Sequence, residues 1–281
     1  MLSKAYVEIT NRCNLSCAFC PGTRRTPHDM SAEEFARLAP EVRQVTRFVY
    51  LHLMGEPLLH PELPQILDIA HRNDLRVILT TNGTLLSDRA QLLLAHPAVH
   101  KVNISLHSFE ANSGISPDDY VRDCAAFAKE AQKSGILCCL RLWNLDGKTA
   151  GLRSLNDSIL RLLHELFPEP WTQTYRGETL GKGIFLEWGE RFEWPDLDSA
   201  DRGSVGFCHA LRDQVGILCD GTVVPCCLDH EGELALGNAF HEPLIQILNS
   251  ERARAIYDGF SRRVRTADLC RRCGYAERFS K

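Results

Sequence analysis

Through the first two-thirds of the chain, short runs of apolar and β-branched residues alternate with amphipathic helical patterns. "AYVEIT" (5–10) reads as a strand, and "SAEEFARLAPEV" as a helix with Ser31 as N-cap and Glu34 closing a capping box. "RFVYLHLM" (47–54) is strand-like, and "PELPQILDIAHRN" is a helix with Pro61 in its first turn. "RVILTT" ends at Asn82-Gly83, and "SDRAQLLLAH" is a helix capped by Ser87. Strands at 99–108, 136–145 and 183–188 alternate with helices at 117–135 and 154–167. Six strand–helix units predict a parallel sheet wrapped by helices, two units short of a closed eightfold barrel. The expected fold is therefore α/β, a partial (β/α)6 barrel over 1–188. In such sheets, chemistry gathers at the C-terminal strand ends.

After about Trp188 the pattern changes. Residues 189–205 are polar and irregular, and read as a linker. "QVGILCDGTVVPCC" alternates around Asp220-Gly221, a hairpin signal. Two short helical stretches and "CRRCGYAERFSK" complete a small α+β unit over 206–281.

The net charge of -4 argues against a nucleic-acid-binding surface. The arginines near the C-terminus (Arg252, Arg254, Arg262, Arg263, Arg265, Arg271, Arg272) read as a solvated helix face. No signal peptide opens the chain, and no apolar run is long enough for a membrane span. A cytoplasmic protein is expected. In a reducing compartment, twelve cysteines point to metal ligation rather than disulfides.

"NRCNLSCAFC" follows the first strand and places Cys13, Cys17 and Cys20 at C-x3-C-x2-C spacing. Zinc sites normally draw four ligands from two C-x2-C-like halves, and disulfides would leave one thiol over. A [4Fe–4S] cluster on three cysteines leaves one iron free for a substrate or cofactor. Phe19, just before the last cysteine, is placed to shield such a cluster from water. Cys208, a Gly221-x4-Cys226 segment and Cys270-x2-Cys273 form a second, four-cysteine set, which suits either zinc or a fully ligated [4Fe–4S] cluster.

C-x3-C-x-Φ-C after the first strand of a partial barrel resembles the radical S-adenosylmethionine (SAM) superfamily. The resemblance implies that the open iron chelates the amino and carboxylate groups of SAM. An electron then cleaves the sulfonium, and the 5′-deoxyadenosyl radical abstracts a substrate hydrogen. Further segments match residue by residue. Met54-Gly55-Glu56-Pro57 resembles the segment whose backbone receives the SAM amino group, with Met54 where a glycine is usual. Gly55 and Glu56 are thus candidate cofactor residues. Thr80–Gly83 resembles the third-strand end, bringing in Asn82. Ser105 stands where relatives place a ribose-contacting serine, followed by His107 where they carry aspartate. Arg141, flanked by apolar residues, needs a partner such as the SAM carboxylate, an acidic substrate or a buried acid.

The C-terminal set resembles the auxiliary-cluster domains named SPASM and their shorter twitch form. With eight residues after Cys273, the resemblance is to the single-cluster type. It implies a second [4Fe–4S] cluster on Cys208, Cys226, Cys270 and Cys273. Cys124, Cys138, Cys139, Cys219 and Cys227 are left as small buried hydrophobes, with Cys139 the first candidate hydrogen-atom donor. Glu187, His107 and Glu190 are candidate bases.

The expected activity is oxidation of a small polar metabolite or a peptide, with the auxiliary cluster accepting an electron. A first strand at Ala5 leaves no room for a fused leader-binding domain, which favours the metabolite. The expected electron donor is a flavodoxin or ferredoxin. Alternatives are peptide maturation, epimerisation through a donor cysteine, radical nucleoside chemistry, or a non-catalytic iron–sulfur or zinc protein.

Overall fold

The structure, a computed structural model, describes residues 1–111, 116–145 and 150–279, with side chains of 150–154 left aside. The expected parallel strands are β1 (Lys4–Val7), β2 (Phe48–Tyr50), β3 (Arg76–Thr81), β4 (Val99–Ser105), β5 (Leu137–Leu145) and, after the hairpin β6 (Thr172–Thr174) and β7 (Gly177–Gly181), β8 (Ile184–Glu190). Each pairs in parallel with the next, with β5 passing directly to β8. Helices α1 (Ala32–Val45), α2 (Leu63–Arg72), α3 (Leu86–Ala95), α4 (Pro117–Lys133) and α5 (Ala150–Leu166) cover one face.

The strands are two-faced. Ala5, Val7, Val49, Val77, Leu79, Val102, Ile104, Leu140 and Leu186 join the apolar core with the helices. Their alternates Lys4, Tyr6, Tyr50, Lys101, Arg141 and Glu187 line a cavity on the other face. A period of two places these polar and charged side chains inside the barrel, opposite the apolar ones that face the helices. A barrel interior filled with such groups is built around a ligand rather than around packing.

Local expectations fare unevenly. The capping box holds: Ser31 Oγ accepts the Glu34 N–H, and Glu34 accepts the Ser31 N–H at 2.8 Å. Gly135 ends α4 with φ +76°. Two helix starts differ. Helix α2 begins at Leu63 with Pro64, not Pro61, in the first turn, and α3 begins at Leu86, which leaves Ser87 inside the helix rather than capping it. The antiparallel hairpin β6–β7 was not anticipated, because "TQTYRGETLG" is polar and carries no apolar alternation.

The later hairpin, β9 (Gln214–Ile217) and β10 (Thr222–Val224), turns at Asp220-Gly221 as expected. Its strand β9 pairs in parallel with β1, so hairpin and barrel share one sheet of order β11-β10-β9-β1-β2-β3-β4-β5-β8-β7-β6, where β11 is Gly237–Asn238. Helices α6 (Leu244–Leu248), α7 (Glu251–Ser261) and α8 (Asp268–Arg271) follow. The C-terminal arginines do not form one solvated face. Arg265 is only 3% exposed, Arg271 pairs with Asp201, and Arg272 donates to the Ser199 carbonyl, which ties α8 to the irregular segment. Residues 280–281 of the terminal stretch lie outside the described residues. Among the described residues, no helix is long and apolar enough to cross a membrane.

Candidate functional site

The cysteine loop leaves β1 through a tightly bonded neck. Thr10 Oγ1 donates to Asp29 Oδ1 at 2.5 Å, and the Asn11 side chain bonds the Thr26 carbonyl and the His28 N–H at 2.9 and 2.7 Å. This closes 11–28 into a loop over the C-terminal end of the barrel. Cys13 and Cys20 are exposed and Cys17 is half-buried. Asn82 Nδ2 approaches Cys13 Sγ at 3.9 Å and Asn14 Oδ1 at 2.8 Å, and so links the loop to the end of β3.

Gly55 and Glu56 dock beneath this loop. The Glu56 N–H donates to the Arg12 carbonyl at 2.8 Å. Gly55 has φ +75°, and a Cβ there would lie 2.8 Å from the Arg12 oxygen and closer still to that of Thr10. Only glycine permits this approach. The Glu56 carboxylate is buried and accepts the N–H groups of Leu58 at 3.0 Å and Asn82 at 2.7 Å. Burial pushes its pKa up to about 7, against these hydrogen bonds.

Ser105, Arg141 and Glu187 lie side by side across β4, β5 and β8. The partner Arg141 needs is Glu187, with Nε 3.5 Å from Oε2; Lys101 Nζ stands 3.7 Å from the other oxygen. Burial opposes ionisation of Glu187, yet Arg141 and Lys101 hold its pKa below the usual value. Glu190, the third candidate base, ends β8 and does not line the cavity. His107 is 5% exposed, its Nδ1 3.1 Å from the Arg141 carbonyl and its ring 4.5 Å from that of Phe19. Burial lowers its pKa to about 4, so it is neutral at pH 7. Phe19 lines the cavity, and its carbonyl accepts Trp194 Nε1–H at 3.0 Å. Cys139 is fully buried beneath the cavity wall, hydrogen-bonded to Glu187, with its thiol pushed up to about 11 by burial.

Cys208, Cys226, Cys270 and Cys273 line the same cavity as Cys13, Cys17 and Cys20. Burial, then the neighbouring Cys227, Cys208, Cys270 and Cys273, pushes the Cys226 thiol well up. The four sulfurs of the set thus sense one another. Burial also raises Cys13, Cys20, Cys208 and Cys273, but each accepts backbone N–H groups, from Leu15, from Gly22, from His209 and Ala210, and from Tyr275 and Ala276. Amides aimed at sulfur favour thiolates, the form that binds metal. A tetrahedral zinc site gathers its sulfurs around bonds of about 2.3 Å. Among the described residues no three His, Cys, Asp or Glu side chains converge to hold a single ion. Thiolates are the ligands an iron–sulfur group takes, and both sets supply them on one cavity.

Sequence reasoning missed three things here. Glu8 is fully buried at the base of the cysteine loop, and its carboxylate binds Arg25. Lys4 and Tyr6 line the cavity from β1, Tyr50 from β2 and His52 from just after it. Cys227 lines the cavity, and Cys139 is not among its lining residues. The period-two alternation of "KAYV" and "VYLH" is the signal that could have found the second group.

The sequence model of the radical SAM superfamily matches residues 7–152, and that of an iron–sulfur cluster-binding domain, SPASM, matches 208–274. A probable GTP 3',8-cyclase of Methanococcus maripaludis (strain C7) is 32% identical over 137 residues, covering 46% of this chain and 43% of that protein. The subtilosin biosynthesis protein AlbA of Bacillus subtilis (strain 168) is 24% identical over 271 residues, 88% of this chain and 59% of that protein. The chain thus spans about half the length of these curated relatives. Among solved structures, BtrN in complex with AdoMet and 2-DOIA aligns at TM-score 0.62 and 17% identity, over 97% of this chain and 93% of that one. The structure of anSMEcpe with AdoMet and the Cp18Cys peptide aligns at 0.64 and 13%, over 99% and 90%. These two likenesses speak to the fold. With the cysteine loop, its docked Gly55-Glu56 segment and the family match in agreement, the chain belongs to the radical SAM superfamily, with SAM and a [4Fe–4S] cluster as cofactors and an auxiliary iron–sulfur site in its SPASM region.

Proposed function

We propose that this protein oxidises a substrate held in the cavity between its two cysteine sets, removing a hydrogen atom at one end and an electron at the other. The observation that carries this reading is the single cavity of about 1070 Å³ onto which both sets open. When bound, the open cluster supplies the electron that cleaves SAM to the 5′-deoxyadenosyl radical, and the closed cluster supplies an electron acceptor. The chain supplies the rest. Cys13, Cys17 and Cys20 hold the first cluster, and Cys208, Cys226, Cys270 and Cys273 the second. Gly55 and Glu56 shape the backbone that takes the SAM amino group. Asn82 and Ser105 flank the nucleoside, Arg141 faces the substrate, and Phe19 with His107 excludes water. Glu187, held ionised by Arg141 and Lys101, is the base suited to take the proton that leaves after oxidation. The substrate is a polar metabolite or a peptide, and a flavodoxin or ferredoxin provides the reducing electron.

A redox-neutral epimerisation is favoured by one observation, the Cys227 thiol on the cavity wall. The two readings separate in D2O. A donor thiol leaves solvent deuterium at the reacting carbon, whereas dehydrogenation leaves none. The first test of either is formation of 5′-deoxyadenosine by the anaerobically reconstituted protein with SAM and dithionite. A fully loaded, reduced protein that forms none overturns both.

A further inference from the structure

The inner part of the cavity is short of negative charge. Lys101 and Arg141 share one carboxylate, Glu187. Lys4 adds a third cation, its Nζ 5.5 Å from the ring centroids of both Tyr6 and Tyr50, and it makes no ion pair among the described residues. The other nearby acid, Asp213, is engaged by His209, with Oδ2 2.5 Å from Nδ1. Lys4, Lys101, Arg141 and Arg176 therefore face two carboxylates, Glu187 and Asp213, in a partly desolvated chamber.

Among the described residues, the buried His52 Nδ1 and Trp143 Nε1 have no partner, and Arg141 Nε meets Glu187 only at ion-pair distance. All three residues line the cavity, and Trp143 lies under the Arg141 guanidinium, 4.5 Å from its ring centroid. Burial, with Arg141 and Lys4 adding to it, lowers the His52 pKa to about 3, so the ring is neutral and offers one donor and one acceptor. These three nitrogens carry almost no accessible surface, so the cations of the cavity wall, rather than the orphaned atoms, are what the chamber presents to a ligand.

We infer that the substrate carries an anionic group, a carboxylate or a phosphate, which the barrel interior binds beside Lys4, Lys101 and Arg141. This rests on the reading of the cavity as the substrate site. The group is not the SAM carboxylate. Lys4 starts β1, and four residues of strand, roughly 13 Å, separate it from Glu8 at the foot of the cysteine loop. A neutral substrate would leave the surplus cations uncompensated, so the subsite also selects against uncharged analogues.

The test uses the reconstituted, SAM-loaded protein and calorimetric titration with inorganic phosphate and, separately, glutarate. At least one probe is expected to bind, and the tighter one identifies the anion class. Lys4→Met is expected to weaken that binding by about tenfold or more, Lys4→Arg to keep most of it, and SAM affinity to be unchanged in both. The inference is overturned if neither probe binds the wild type, if Lys4→Met binds as well as wild type, or if Lys4→Met loses SAM to the same degree. SAM cleavage is read in parallel. Its absence with anion binding intact strikes the enzymatic reading alone, whereas lost anion binding with SAM cleavage intact strikes the subsite alone.

Discussion

Both carboxylate oxygens of Glu8 are held by Arg25, at 2.7 and 2.8 Å, in a pair whose acid is wholly buried. The same carboxylate accepts the N–H groups of Met54 and Cys219, each at 3.1 Å. One side chain thus joins the cysteine loop, the segment ahead of Gly55 and the C-terminal hairpin. Arg25→Met leaves that carboxylate buried and uncompensated, and is expected to cost about 3 kcal/mol. Guanidinium unfolding of the reconstituted protein measures the loss. Adding Glu8→Gln should recover part of it, because the buried charge is then gone. A single variant as stable as wild type contradicts the clamp.

Gly55→Ala forces a Cβ against the carbonyls of Thr10 and Arg12 at a φ of +75°. The backbone must give, and both the cysteine loop and the Glu56 N–H move with it. Reduced SAM affinity by equilibrium dialysis is expected, with the auxiliary site still loaded. Unchanged SAM affinity would detach this segment from cofactor binding.

Glu56 carries a pH signature. Its folded pKa, about 7, lies above the ordinary carboxylate value because of burial. Its stabilising contribution is therefore complete below about pH 4.5 and is lost as pH rises through about 7. Glu56→Gln removes that dependence. Between about pH 5.5 and pH 8, the stability difference should shift towards the variant by on the order of 2 kcal/mol. Anaerobic thermal melts of both proteins across this range check it, and a flat difference would show that the carboxyl ionises freely.

Much of this architecture was legible in the sequence because its signals are local. Cysteine spacing, the capping box at Ser31 and the Asp220-Gly221 turn each act over a few residues. The chamber behind the site was not legible, for two physical reasons. Lys4, His52 and Trp143 come together only through lateral strand pairing, which places Lys4 beside Gln214 and Arg141 beside Glu187. Periodicity reports which face a residue takes but not which strand lies next to it. Glu8 looked like an ordinary polar residue at a strand end, because its partner Arg25 is 17 positions away across the cysteine loop. The place of Cys227 on the cavity was hidden for a related reason: β9 inserts beside β1 and carries the hairpin's Cys227 into the chamber, where its Sγ reaches Gln214 Oε1 at 3.7 Å.

The two cysteine sets should separate by their effects on turnover. Cys17 belongs to the three-cysteine loop, its thiol pushed up to about 12 by burial and then by Cys20 and Cys13, so the three sulfurs act as one unit. Cys17→Ala is expected to lower 5′-deoxyadenosine formation by roughly three orders of magnitude or more, because the loop carries no fourth cysteine to take its place. Cys270 stands in the other set, where burial, Cys208 and Cys273 push its thiol up in the same way. Cys270→Ala should retain SAM cleavage while losing product, since the hydrogen-abstracting end of the cavity is untouched. Iron and sulfide analysis of each variant establishes which site has emptied, and chromatography of 5′-deoxyadenosine alongside product gives the ratio of radical formation to turnover. In wild type that ratio approaches one where SAM is consumed once per turnover; in Cys270→Ala it should rise steeply. Normal product formation by a Cys270→Ala protein shown to lack its auxiliary cluster would remove the electron-accepting role from that end of the cavity and leave the Cys227 reading of the reaction in its place.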